Sequence, residues 1–147
     1  MLYSFIKGII VIVIIAYLGL ILWPLASENR LTLVADHLVA LNRRGEALNL
    51  YKYILSRRGL NDSIALYSYA DMLLNAVRQN PQIGYDEGYL ADVGEVVYYL
   101  EQDVLRHPRS LFSWSYLTQF YEAGGATTYF ERALNKMVSL SPERYSE

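Results

Sequence analysis

PRSLFSWSYLTQFYEAGGATTYFERALNKMVSLSP, residues 108–142, is the stretch on which the fold turns. In its first half Leu111, Trp114, Leu117, Phe120 and Tyr121 recur at three- and four-residue steps, which places them on one face of an amphipathic helix. Gly124-Gly125 supplies the residue type that can leave a helix in a left-handed turn. A second stripe follows in Tyr129, Phe130, Ala133, Leu134, Met137, Val138 and Leu140, and Ser141-Pro142 closes it. Two striped helices across a tight turn make an α-hairpin, because each stripe needs the other to leave water.

The same grammar continues upstream. A helix is expected from about Asp86 to Arg106, with Leu90, Val93, Val96, Val97, Leu100, Val104 and Leu105, and Pro108 stops it. Asn80-Pro81-Gln82-Ile83-Gly84 reads as a loop. Before it, Asn61-Asp62-Ser63 offers an N-cap to a helix carrying Ile64, Leu66, Tyr67, Ala70, Leu73, Leu74 and Val77. Ala47, Leu48, Tyr51, Ile54 and Leu55 form a further stripe, ended by Gly59. Leu31, Val34, Ala35, Leu38 and Leu41 form the first, broken by Asn42-Arg43-Arg44-Gly45. The Arg43/Arg44 and Arg57/Arg58 doublets read as partners for helix C-terminal dipoles. No stretch alternates with period two, so the expectation is an all-α fold of three antiparallel helix pairs.

Those pairs have the look of one repeated unit. Pro108 and Pro142 stand 34 residues apart, the tetratricopeptide period. The unit resembles that family: Trp114, Leu117, Tyr121 and Gly125 reproduce the spacing of its first helix. Ala133, Met137 and Pro142 take the roles of its second helix and closing proline, although Pro142 arrives about three residues early. Thr118 replaces the small residue after Leu117. The first pair matches more loosely, and the middle pair is interrupted around Asn80–Gly88. The resemblance implies a solenoid in which small residues let helices approach and aromatic residues fill the gaps between pairs. More narrowly, the stretch from Leu100-Glu101 to His107-Pro108, and then Trp114 to Gly125, is similar to the C-terminal tails of O-antigen ligase-like membrane proteins. That resemblance implies a free-standing or truncated tail with the family's location and binding style. It does not imply glycosyl transfer, since the membrane bundle and the Arg- and His-rich loop of those enzymes are missing from the sequence.

At the other end, Gly8 to Ser27 is an uncharged run rich in Ile, Val and Leu. About 20 such residues in a helix span a bilayer core of roughly 30 Å. The run is longer than a signal-peptide core, and Pro24-Leu25-Ala26 is a poor cleavage site, so an uncleaved anchor is expected. Tyr3 and Trp23 suit the two interfacial belts. The expected organisation is an anchor helix over residues 1–27 and a tetratricopeptide-like domain over residues 28–147. Lys7 on one flank and Glu28 with Arg30 on the other tilt the topology only slightly, towards a cytoplasmic N terminus. With the ligase-tail resemblance, this places the chain in a bacterial inner membrane with its C-terminal domain outside the cytoplasm.

At 53% hydrophobic and 19% charged residues the chain is too apolar to stay disordered. A formal charge of -2, with scattered basic residues, gives no electrostatic ground for nucleic-acid binding. The chain has no cysteine, which removes disulfides, thiolate metal sites and a lipid-modified cysteine.

Chemistry-bearing constellations are few. Asp103 and His107 share a helix face as two metal ligands would, but no third ligand has suitable spacing, and Glu101 points elsewhere. His107 before Pro108 then reads as a helix-end residue favoured by the dipole, and His37 stands alone. Asp86/Glu87 read as helix-start acids and Asp92/Glu95 as an acidic pair at three-residue spacing without a general acid/base role. The serines lack a base or elbow motif, and Gly124-Gly125 lacks the rest of a phosphate loop. No catalytic, cofactor or metal site is expected.

Tyrosine is the unusual feature, at 14 of 147 residues. It offers large contact area at small entropic cost. Tyr67, Tyr69, Tyr98, Tyr99 and Tyr116 are therefore expected to line a groove for a protein partner on the first helices of the pairs. The function expected is a membrane-anchored interaction or scaffold module without catalysis. Two alternatives stay open: a structural subunit of an integral membrane complex held by its transmembrane helix, and an accessory or truncated tail of a ligase-like glycan enzyme.

Overall fold

The computed structural model describes residue 17, residues 30–57 and residues 62–141. Among these residues every regular element is helical and there is no strand. The chain divides into two compact units, Met1–Asp62 and Ser63–Glu147. No helix among the described residues is long and apolar enough to cross a membrane. The expected anchor at residues 8–27 lies outside them, Tyr17 excepted.

In the first unit, α1 covers residues 30–40 and α2 covers Arg44–Ser56. Asn42, with φ 59°, ends α1 in the left-handed region that asparagine tolerates better than most residues. Around it the Arg43 N–H reaches the Leu38 carbonyl at 2.8 Å and the Asn42 N–H reaches that of Val39 at 2.9 Å, satisfying carbonyls that the helix end would orphan. The break is thus confined to residues 41–43, and Gly45 lies inside α2. This corrects the reading of the first arginine doublet. Arg44 opens a helix rather than closing one, and Arg43 pairs with Glu46 in the first turn of α2, Nε to Oε1 at 2.6 Å. Arg57 does sit at the C-terminal cap of α2, its guanidinium 5.0 Å from the centre of the Tyr53 ring. Arg58 and Gly59 lie outside the described residues. The Tyr51 hydroxyl ties α2 to Asp36 of α1, and Ala35, Ala47 and Tyr51 are buried.

In the second unit, α3 is Asp62–Gln79, α4 is Glu87–Arg106, α5 is Leu111–Ala123 and α6 is Thr127–Leu140. The expected loop after α3 is instead a 3-10 turn, Pro81–Tyr85. Asn80 caps it by accepting the Gln82 N–H at 3.2 Å, and Pro81 stands where a missing N–H costs nothing. This turn lies close on α3, since a Cβ at Gly84 would come within 3.3 Å of Val77. Asp86 caps α4 through the Tyr89 N–H at 2.9 Å, and Ser110 caps α5 through that of Ser113 at 3.3 Å.

Gly125, with φ +66°, turns the chain between α5 and α6. The Ala126 N–H closes on the Tyr121 carbonyl at 2.9 Å, the same closure that ends α1. α3 and α4 are antiparallel: Tyr67, early in α3, meets Asp103, late in α4, while the Tyr89 hydroxyl reaches the Leu73 carbonyl at 3.2 Å. The core of the unit gathers Leu66, Tyr69, Leu73, Val96, Leu100, Leu117, Phe120, Ala133 and Met137.

Candidate functional site

Asp103 is the one buried carboxylate among the described residues, with 3% of its surface exposed. It sits where α3, α4 and α5 meet. Burial alone would drive its pKa up, but hydrogen bonds from Ser113, His107 and Tyr67 and the His107 charge outweigh it and hold the carboxyl below its ordinary value. Ser113 Oγ donates a short bond to Oδ2, and the Tyr67 hydroxyl lies 3.2 Å from the same oxygen. His107 Nδ1 lies 2.9 Å from Oδ1, and as a carboxylate only accepts, the nitrogen carries the proton. Ser63 Oγ completes the set at 3.4 Å. The spacing of Asp103 and His107 pointed to one helix face. The α3 partners of Asp103, Tyr67 and Ser63, lie 36 and 40 positions away and its α5 partner Ser113 ten, spacings that leave no helical signal.

Aspartate, histidine and serine in one cluster invite comparison with a catalytic triad, and the geometry does not match it. The serine bonds to the carboxylate, not to the imidazole, and Ser113 is fully buried. Nor do the described residues hold any group of three His, Asp or Glu able to share a metal ion.

What the knot does is fix Tyr67. Its hydroxyl lies 2.9 Å from Ser110 Oγ and 2.8 Å from Ser113 Oγ besides the carboxylate. The ring is thereby set against two aromatic residues of α5: Tyr116, stacked at 5.7 Å between centroids, and Phe112, tilted at 5.7 Å. Phe112 is 68% exposed, so the stack ends in solvent. Further along the same two helices, Arg78 Nη2 bonds to Gln119 Oε1 at 2.8 Å, and Asn75 Nδ2 to Asp71 Oδ2 at 2.8 Å. Tyr116 has its pKa raised by burial and by the neighbouring Asp71 and Tyr67, against Arg78. An aromatic end and a polar end thus share one face of α3 and α5.

Of the five tyrosines expected to form a groove, the structure brings Tyr67 and Tyr116 together. Tyr69 is fully buried, two residues from Tyr67 and so on nearly the opposite side of α3. Burial and the Asp92 and Glu95 charges push its pKa upward. Tyr98 and Tyr99 pair edge-to-face with each other on α4, at 5.6 Å. Phe112 belongs to the stack and carried no signal beyond its spacing of four from Tyr116.

The residues of the repeat pattern are placed as follows. Leu117 and Ala133 are buried, and Trp114 is half-buried with its Nε1 bonded to the Pro108 carbonyl at 3.1 Å. Thr118 returns its hydroxyl to the Trp114 carbonyl at 2.8 Å, which lets a polar residue sit at a close contact. Tyr121 donates to Glu101 Oε1 at 2.7 Å, and burial with that carboxylate raises its pKa. Gly125 makes the turn, and Pro142 lies outside the described residues. His37 is exposed, and Asp86 and Glu87 occupy the cap and first turn of α4. In comparisons with protein-family models, curated proteins and solved structures, none matches this chain.

Proposed function

We propose that the chain is a membrane-anchored protein-interaction module built on tetratricopeptide-like helix pairs, with no catalysis of its own. The observation that carries this reading is the Phe112–Tyr67–Tyr116 stack, an aromatic platform on the first helices of two successive pairs. A partner pays little ordering entropy to dock on rings already held in place, and aromatic anchors of this kind dominate binding energy at interfaces. Residues 8–27 supply the anchor in this reading, and tethering raises the effective concentration of whatever the domain binds beside the membrane. The bacterial inner membrane, with the domain outside the cytoplasm, is the placement proposed.

A photo-cross-linking residue at position 112 of the full-length protein, in its native membrane, tests the platform. A discrete protein adduct that Tyr116→Ser abolishes is expected, with none from a probe at exposed Tyr85. No adduct at 112, or the same adduct from 85, overturns the reading. Deleting residues 1–27 separates it from the rival membrane-subunit reading: partners retained by the truncated chain favour the domain, and partners lost favour the anchor.

A further inference from the structure

Away from the aromatic platform, α4, α5 and α6 enclose a notch of about 410 Å³. Leu105, Pro108, Trp114 and Tyr129 form its walls, and Leu117 and Ala133 its floor. Leu105 is 73% and Tyr129 58% exposed, so this apolar surface stands in water. The polar groups of the walls are turned inward on one another, Trp114 to the Pro108 carbonyl and Tyr121 to Glu101. Gln102 and the cations are the exceptions. Arg132 stands at the rim, and Lys136, one helical turn on, lines an adjoining hollow with Trp114 and Arg132. Among the described residues neither cation has a carboxylate within ion-pair distance. The one carboxylate in the notch, that of Glu101, already takes the Tyr121 proton.

We infer that this notch receives a short acidic segment of a partner protein, with one bulky apolar side chain between Leu105 and Trp114 and a neighbouring carboxylate paired to Arg132 and Lys136. The volume suits a large side chain. The charge at the rim is complementary to an acidic residue beside it and gives the segment a register. The concave form argues against a bilayer, since lipid contact calls for apolar groups that project, while here the floor is recessed beneath three helices. The inference uses residues distinct from the Phe112–Tyr67–Tyr116 stack.

The test is to pan a random dodecapeptide display library on the full-length protein in nanodiscs of neutral lipid. Expected is a consensus with a bulky apolar residue flanked by Asp or Glu. The corresponding synthetic peptide should bind at least about tenfold more weakly to Arg132→Glu/Lys136→Glu and to Leu105→Glu, both surface changes, and more weakly in high salt. Circular dichroism confirms that the variants fold. No consensus, a basic consensus, or equal binding by the charge-reversed variant overturns the inference. So does saturable binding to phosphatidylserine vesicles, sensitive to the same variants, with no peptide bound. A failure here leaves the adduct at position 112 untouched, so the two proposals fall separately.

Discussion

Where α3, α4 and α5 meet, a buried carboxylate collects hydroxyl and imidazole protons from all three helices. Where α5 meets α6, the buried contributions are Leu117 and Phe120 from one side and Ala133 and Met137 from the other. The second junction is held by apolar burial, which has no preferred direction and tolerates small shifts. The first is held by directional hydrogen bonds, so it sets the position of Tyr67 more closely than packing alone would. The two junctions differ in kind: the apolar contact buries surface, and the polar one aims the aromatic surface.

The comparison breaks most sharply at Leu117. Leu117→Ala in the fully buried floor should cost about 3 kcal/mol, read as a lower urea midpoint of the second unit. Asp103→Asn puts an amide where the network needs an acceptor, leaving a Ser113 or Tyr67 proton unmatched, and should cost about 2 kcal/mol. Unlike Leu117→Ala it should also loosen the platform, visible as broadened Tyr67 and Tyr116 ring resonances.

The wild-type chain should lose the Asp103 contribution in acid. The folded carboxyl is held below its ordinary 3.8, so the stabilisation is complete above that value and disappears as pH falls below it. An acid titration should show this step in the wild type and not in Asp103→Asn.

Gly125→Ala should cost about 1 kcal/mol, from the left-handed backbone alone, since a Cβ there meets nothing within 4 Å. Phe112→Ser, at the solvent end of the stack, should change stability by less than about 0.5 kcal/mol while removing the photo-adduct surface.

The helices were legible because their signals are local. Asp86 and Glu87, read as helix-start acids, stand at the start of α4, and Gly124-Gly125 turns where a left-handed residue is wanted. The site was legible only in part. Tyr67 and Tyr69 look alike in composition, yet two helical steps separate a pinned platform residue from a core residue. The Asp103 knot was invisible because its members are unremarkable singly and are assembled by tertiary packing. Asn80–Gly84 read as a loop because proline and glycine break an α-helix, although both fit the tighter winding that forms there.

The knot also bears on how long the domain stays folded once formed. Its Tyr67 bonds join positions 36 to 46 residues apart, whereas the α5–α6 turn joins neighbours. Short-range hairpins assemble early, and the carboxylate can gather its protons only when three helices have already met. Contacts made after the rate-limiting step leave the speed of assembly unchanged and slow the reverse reaction. Asp103 therefore acts as a late latch, lengthening the native lifetime of a surface that a partner must find intact.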